Sequence, residues 1–90
     1  MKYRVDWIDL AQERLEIIWT AATNKLAVLN AANTIDALLA DDPFRKDAIV
    51  VPNENTFIFE PLAVDYVVLE DAKLVLVLRV FMVGYLADQD

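Results

Sequence analysis

The run Lys73-Leu74-Val75-Leu76-Val77-Leu78-Arg79-Val80-Phe81-Met82-Val83 is the longest strand candidate of the chain, because it consists mainly of leucine and valine. Successive side chains of a strand lie on opposite faces of the sheet. One face would carry Leu74, Leu76, Leu78, Val80 and Met82, and the other Lys73, Val75, Val77, Arg79, Phe81 and Val83. A sheet that helices cover on one side alternates apolar and polar residues, but both of these faces are largely apolar. We therefore expect Val75, Val77 and Phe81 to pack under a neighbouring segment of this chain or to contact another chain.

The N-terminal half of the chain predicts one strand and two helices. Residues 3–7 alternate apolar and charged side chains, which is typical of a short, half-buried strand. Asp9 and Gln12 have the arrangement of a capping box, and apolar residues then recur at helical spacing. Asn24 is a suitable N-cap for a second helix, which ends before Pro43. The short link between the helices predicts an antiparallel hairpin.

The second half of the chain predicts strands at residues 48–51, 56–60, 63–69 and 73–83. The element order β-α-α-β-β-β(-β) indicates an α+β fold, in which the helical hairpin packs on one face of a mostly antiparallel sheet. We expect residues 1–87 to form a single domain, since 90 residues are too few for two. Residues 88–90 are expected to form a frayed tail.

The composition excludes several classes of function. Eight basic and fifteen acidic residues give 8 − 15 = −7, and the chain has no histidine and no cysteine. Disulfides, thiolate metal sites and histidine-based catalysis are therefore excluded, and we expect neither a metal nor another cofactor. Because nucleic-acid-binding domains are usually basic, we do not expect direct nucleic-acid binding. Arg79 interrupts the longest apolar stretch and no secretion signal precedes residue 7, so we expect a cytoplasmic protein without a membrane partner.

The order of these segments resembles the RelE/ParE superfamily, the toxins of bacterial type II toxin–antitoxin systems, which include proteins similar to plasmid stabilisation factors. The resemblance extends approximately over residues 3–83 and depends on five segments in order. These are Tyr3-Arg4-Val5-Asp6-Trp7; the helix with Ala11, Leu15, Ile18 and Trp19; Ala31-Ala32-Asn33-Thr34-Ile35-Asp36 with Leu38-Leu39 and Asp42-Pro43; Pro61-Leu62-Ala63-Val64-Asp65-Tyr66-Val67-Val68; and Val75-Leu76-Val77-Leu78-Arg79-Val80.

The resemblance implies a small α+β toxin fold whose functional residues lie on the concave sheet face away from the helices. RelE-like members cut mRNA on the ribosome, ParE-like members poison DNA gyrase, and an antitoxin segment wraps around both kinds. RelE-like cleavage uses several arginine and lysine residues and a tyrosine, since no metal stabilises the phosphoryl transition state. This chain has no positive charge in Glu54-Asn55-Thr56-Phe57-Ile58-Phe59, and Phe81-Met82-Val83-Gly84-Tyr85 stands where the family often has histidine and arginine.

Arg79 is the one position to which a catalytic arginine of the family carries over, and Tyr66 and Tyr85 are the remaining hydroxyl candidates. Arg79 has a structural alternative, an ion pair across the strands with a carboxylate such as Asp65. One arginine does not replace a cluster, so we expect ribonuclease activity to be absent or very weak, and whether the protein is an enzyme stays open.

We instead expect a protein-binding function, with a cognate antitoxin or a second copy of the chain as the partner. Trp7 and Trp19 are interpreted as core anchors, with a partner pocket as the alternative. An active toxin, more readily a gyrase poison than an mRNA endonuclease, and an orphan structural domain are the alternative functions. The residues expected to bind the partner are Val75, Val77, Arg79 and Phe81.

Overall fold

The computed structural model describes residues 2–45, 49–51 and 54–83. The predicted element order is confirmed, and Tyr85 and the expected tail at 88–90 lie outside the described residues. A short 3-10 turn, Glu70–Ala72, connects the last two strands. The elements are β1 (Arg4–Trp7), α1 (Asp9–Ala21), α2 (Lys25–Asp41), β2 (Ile49–Val51), β3 (Glu54–Phe59), β4 (Leu62–Leu69) and β5 (Leu74–Met82).

The strands form a five-stranded sheet in the order β1-β5-β4-β3-β2. β1 is parallel to β5, from Arg4 opposite Leu74 to Trp7 opposite Val77, and the other neighbouring pairs are antiparallel. Both helices pack on one side of this sheet. The expected α+β architecture, a helical hairpin on a mostly antiparallel sheet, is therefore confirmed.

The two helices begin differently. The predicted capping box is wrong for α1, because Asp9 lies inside the helix and Ile8 is the N-cap residue, with no side chain capping the helix. The Gln12 side chain instead donates a hydrogen bond from Nε2 to the carbonyl of Trp7, at 2.7 Å. The Asn24 cap of α2 is confirmed, since Asn24 Oδ1 accepts a hydrogen bond of 3.0 Å from the amide of Ala27.

Replacing Asn24 by alanine is expected to lower the free energy of unfolding by about 1 kcal/mol, because one amide of the first turn of α2 loses its partner. The measurement is urea-induced unfolding followed by circular dichroism. Asn30→Ala is the matched control, since Asn30 is exposed inside α2 and alanine favours helix at such a position. A loss of equal size in both variants would contradict the capping role.

The hydrophobic core lies between the helices and one face of the sheet. The helices contribute Ala11, Val28, Ala31, Ala32, Ile35 and Leu39, and the sheet contributes Phe57, Leu62, Val64, Tyr66, Val75, Val77 and Val80. Strand residues that alternate with this set lie on the opposite side of the sheet, which we call the open face. Its residues include Arg4, Asp6, Thr56, Ile58, Ala63, Asp65, Val67, Leu69, Leu74, Leu76, Arg79 and Phe81.

The expectation that Val75 and Val77 belong to a partner-binding stripe is wrong. Both side chains are 0% exposed, because they lie on the face of β5 that the helices cover. Of the alternatives left open by the sequence, packing within this chain applies to these two valines. The leucines of the same half of the strand, Leu74 and Leu76, lie on the open face instead.

Candidate functional site

A β-bulge in β5 decides which of its side chains reach the open face. Asp65 pairs with Arg79, but the next residue of β4 pairs with Val77, so Leu78 is an extra residue of β5. One extra residue reverses the alternation of side chains along the rest of the strand. Arg79 and Phe81 consequently lie on the open face, with the Arg79 side chain 62% exposed and Phe81 40% exposed.

Asp65 is the charged residue that the structure buries on this face. Asp65 as a whole is 7% exposed. It lies between Thr56 of β3 and Arg79 of β5 in one cross-strand row. The Thr56 hydroxyl donates to Asp65 Oδ1 at 2.5 Å, and Arg79 Nε donates to Oδ2 at 2.8 Å. The ion-pair interpretation of Arg79 is thus confirmed. Because the aspartate charge offsets the guanidinium charge, this pair presents little net positive charge to a phosphate.

A second ion pair lies towards the other end of the open face. Arg4 Nη2 is 3.1 Å from Asp6 Oδ2, two residues along the same strand. Together with the pair of Arg79 and Asp65, the two ion pairs of this face contain two arginines and two carboxylates, which gives 2 − 2 = 0. The face where the resemblance places a basic catalytic cluster is therefore close to neutral.

A third group of charges surrounds the turn between β4 and β5. The Tyr3 hydroxyl donates a 2.7 Å hydrogen bond to Glu70 Oε1, and Lys73 Nζ donates to the same oxygen at 2.9 Å. The hydrogen bond to Glu70 raises the pKa of Tyr3 above its usual value and likewise raises the pKa of Lys73. The hydrogen bond from Lys73, followed by that from Tyr3, lowers the pKa of Glu70.

These pKa shifts predict how the stability contributed by the cluster of Tyr3, Glu70 and Lys73 depends on pH. The contribution of Glu70 to stability is present above the pKa of an unfolded glutamate and is lost as the pH falls through its lowered value in the folded state. The contributions of Tyr3 and Lys73 are present below their unfolded pKa values and are lost as the pH rises through the raised folded values. The cluster is therefore stabilising between these limits.

Replacing Glu70 by glutamine is expected to lower the pKa of Tyr3 towards its usual value, because the tyrosine then loses its carboxylate acceptor. NMR titration of protein with carbon-13-labelled tyrosine measures this pKa directly. Asp71→Asn is the matched control, since it removes a carboxylate from the next residue of the same turn, where the structure gives no bond to Tyr3. An unchanged Tyr3 pKa in the Glu70 variant would show that the hydrogen bond does not form in solution.

Three cations line a groove between α2 and β1, at the outer edge of the sheet. Lys2, Arg4 and Lys73 contribute to its wall, and so does Asp36. Arg4 is paired with Asp6 and Lys73 with Glu70, so the local sum over these side chains is 3 − 3 = 0. This groove adds no net positive charge to the chain's surface.

The bulged end of β5 borders an apolar groove. β1 pairs with β5 only as far as Val77, so the remaining residues of β5 have β4 as their one strand partner within the described part of the chain. A strand edge of this kind presents backbone amide and carbonyl groups to a neighbour. We call the adjoining depression of about 500 Å³ the β5 groove, and it is lined by Leu10, Arg14, Ile18, Leu78, Arg79, Val80, Phe81 and Met82.

Of the two tyrosine candidates from the sequence, Tyr66 lies within the described residues and Tyr85 does not. Tyr66 lies in the core, 0% exposed, and its hydroxyl donates a 2.6 Å hydrogen bond to the carbonyl of Pro43. It is thus a structural residue that a substrate does not reach in this conformation, while Tyr85 lies outside the described residues.

Sequence reasoning missed Leu10 and Arg14, although Leu10 lies off the apolar stripe of its own helix and is 72% exposed. An apolar residue displaced from the stripe was the available signal.

The described residues contain no group of three or more acidic side chains placed to hold a metal ion. Among the same residues, neither helix has the length and apolar character needed to span a bilayer.

The fold has solved counterparts. The chain is similar to the RelBE2 toxin–antitoxin complex of Mycobacterium tuberculosis, with a TM-score of 0.75, 13% sequence identity and coverage of 91% of this chain and 99% of the matched chain. It is also similar to the archaeal RelE–RelB complex of Pyrococcus horikoshii, with a TM-score of 0.71, 17% identity and coverage of 93% and 98%. The isolated RelE toxin of E. coli gives a TM-score of 0.67 and 12% identity, with coverage of 97% and 94%. No protein-family model and no curated protein matches the chain.

The chain thus has a RelE-like toxin fold, and the resemblance seen in the sequence is confirmed at the level of the fold. At sequence identities of 12–17% the likeness concerns the backbone, not the chemistry of the site. The activity must therefore be argued from the side chains described above.

Proposed function

We propose that this protein acts in the cytoplasm by binding another protein, through the β5 groove, and that it does not cleave RNA. The partner is an antitoxin-like protein or a second copy of the chain. The observation that carries the proposal is the pairing of Arg79 with the buried Asp65 at the edge of an apolar groove. The resemblance would place a catalytic arginine at Arg79, and here the charge of Arg79 is neutralised by Asp65.

The electrostatics argue against a phosphate substrate. Metal-free phosphoryl transfer needs several cations that converge on the reacting phosphate. The two ion pairs of the open face sum to zero charge, and the whole chain carries −7. An mRNA backbone would be repelled by this charge at distances within about 8–10 Å, the Debye length at moderate salt. Electrostatic repulsion would therefore make the free energy of RNA binding less favourable.

The groove itself has the properties of a protein-binding surface. Phe81 and Leu10 are exposed apolar side chains, and Arg14 and Arg79 lie in the same depression. Aromatic and arginine residues are the types that are enriched at protein interfaces. Beyond Val77, the edge of β5 that faces away from β4 has no strand partner within the described residues, and such an edge can form main-chain hydrogen bonds with a partner. Two of the three similar structures are complexes of a toxin with its antitoxin, which is consistent with an interface on this fold.

Co-expression with the neighbouring reading frame tests the proposal. The complex, or the chain alone, is purified and its mass is measured by light scattering after size-exclusion chromatography. We expect either a complex with the small neighbouring protein or a dimer. A chain that is strictly monomeric and captures no neighbour would contradict the proposal.

An active toxin is the second candidate, and the likeness to the isolated RelE toxin of E. coli favours it. Poisoning of gyrase would depend less on a basic catalytic cluster than cleavage of mRNA does. Induction of the chain in bacteria, with growth as the readout, separates the two functions. Growth that is unimpaired, and unchanged by Arg79→Ala, supports protein binding without toxicity in that host.

A further inference from the structure

The helical side of the molecule contains a further depression, between α1 and α2 and next to the end of β1. We call it the tryptophan cleft, and its volume is about 460 Å³. Both tryptophans of the chain lie in its wall. The lining residues are Trp7, Gln12, Leu15, Glu16, Trp19, Val28, Leu29, Ala32, Asn33 and Asp36.

The two indole rings are held in different ways. Trp7 Nε1 donates a 3.0 Å hydrogen bond to Asp36 Oδ1, which fixes this ring against α2. Trp19 is 42% exposed, so its interpretation as a core anchor is wrong. The ammonium group of Lys25 lies 5.5 Å from the centre of the Trp19 ring. The surface of Trp19 is therefore already used for a cation–π contact, which shows that a cation can approach this ring.

The charged residues that line the cleft are acidic, and the Lys25 ammonium group lies beside its Trp19 wall. Glu16 and Asp36 line it, and no lysine or arginine does. Neither carboxylate forms an ion pair with a cation in the described part of the chain. Asp36 uses Oδ1 for Trp7, and its Oδ2 accepts no hydrogen bond from the described residues. In a chain of charge −7, these carboxylates attract a positively charged group.

The apolar surface continues beyond the cleft. Leu29, in the wall, is 49% exposed, and Ile17 on the adjoining side of α1 is 59% exposed. Ile17 shares a shallow depression with Glu13 and Glu16, so acidic and apolar side chains alternate across this surface. A small amine would cover only part of it. A helix with apolar residues on one face and basic residues beside them would cover both components.

We propose that the tryptophan cleft binds a basic, amphipathic helical segment of a partner protein. An apolar side chain of the segment contacts Leu29, and a lysine or arginine lies between the carboxylates of Glu16 and Asp36. This inference deepens the proposed function and rests on it only for the premise that the chain works by binding protein. The cleft and the β5 groove share no lining residue, so the two sites can be tested separately.

The test uses the whole chain and a synthetic peptide of about 15 residues, long enough for a helix, in which leucine and lysine recur at helical spacing. Tryptophan emission reports occupation of the cleft, because the chain has no tryptophan outside it. We expect a saturable change in emission that weakens with added salt. The same peptide with glutamate in place of lysine is expected to give no change.

Glu16→Gln is expected to weaken binding of the lysine peptide about 3- to 10-fold, the effect of losing one partly desolvated charge pair. Glu60→Gln is the matched control, with the same change of net charge in the exposed turn between β3 and β4, and is expected to change binding less than about 2-fold. Equal effects of the two substitutions, or equal binding of both peptides, would overturn the inference.

Two further outcomes are decisive. Tryptophan emission that changes with the concentration of the chain alone, together with a dimer in light scattering, would mean that a second copy occupies the cleft, which overturns the inference. Weakened peptide binding in Glu16→Gln, with capture of the neighbouring protein retained, would support the cleft as a site separate from the β5 groove. Absence of peptide binding, with capture by the groove intact, would reject the cleft and leave the proposed function standing.

Discussion

Asp65→Ala is expected to lower the free energy of unfolding by about 2–3 kcal/mol. The carboxylate accepts hydrogen bonds from Thr56 and Arg79, and its own side chain is only 11% exposed. Hydrogen bonds to a charged group contribute about 1.5–3 kcal/mol each. The loss falls below the sum of two such bonds because the Arg79 side chain is 62% exposed and can be solvated by water. Urea-induced unfolding at neutral pH measures the effect.

Asp6→Ala is the matched control for this prediction. Asp6 also pairs with an arginine on the open face, but the side chains of Arg4 and Asp6 are 74% and 47% exposed. An exposed pair of this kind contributes less than about 1 kcal/mol. If the two aspartate variants lost the same stability, burial of Asp65 would not be what makes its pair with Arg79 important.

Phe81→Ala is expected to weaken binding of the partner by about 30-fold or more. The ring is 40% exposed and lines the β5 groove together with Arg79 and with side chains of α1. Truncating an aromatic anchor of an interface costs about 2 kcal/mol or more, which corresponds to this factor. Isothermal titration calorimetry with the purified product of the neighbouring reading frame gives the dissociation constant. If the chain binds a second copy of itself, the concentration dependence of the dimer gives it instead.

Leu26→Ala controls for a general loss of exposed apolar surface. Leu26 is 66% exposed in the first turn of α2 and lines neither the β5 groove nor the tryptophan cleft. We expect this variant to bind as the unchanged protein does. Wild-type affinity of the Phe81 variant would place the interface elsewhere on the molecule.

Most of the fold follows from local patterns in the sequence. The helical hairpin is predicted by apolar residues at helical spacing, by the Asn24 cap and by Pro43 after the second helix. The strands are predicted by β-prone runs between turn residues, and their boundaries are close to the observed ones. These signals are local, since each depends on residues that are neighbours along the chain. The layered arrangement follows because the hairpin must bury its apolar stripe against a sheet.

The site was less predictable, because it depends on a single register shift. An uninterrupted alternation places Arg79 on the same face as Val75 and Val77. The extra residue, Leu78, reverses the alternation, so that the valines enter the core and Arg79 reaches the open face. A bulge depends on how β4 and β5 pair across the sheet, and a sequence in which both faces are apolar does not reveal its position.

The start of α1 shows a similar limit. Asp9 and Gln12 have the arrangement of a capping box, but the tight turn after β1 places Asp9 one residue inside the helix. The amide of Ile8 donates to the carbonyl of Val77, which ties this turn to β5. Tertiary contact thus overrode the local capping signal. The same turn holds Trp7 at the edge of the tryptophan cleft, and its interpretation as a core residue is confirmed, because it packs against the core.

The central claim is that a RelE-like scaffold here carries a neutralised pair where phosphate chemistry would need a basic cluster. It is tested most directly by adding the purified chain to a translating ribosome extract and mapping the ends of the mRNA. We predict that no ribosome-dependent cleavage occurs and that the wild-type and Arg79→Ala proteins give the same mRNA ends. Cleavage by the wild-type chain that is lost in Arg79→Ala would contradict this claim.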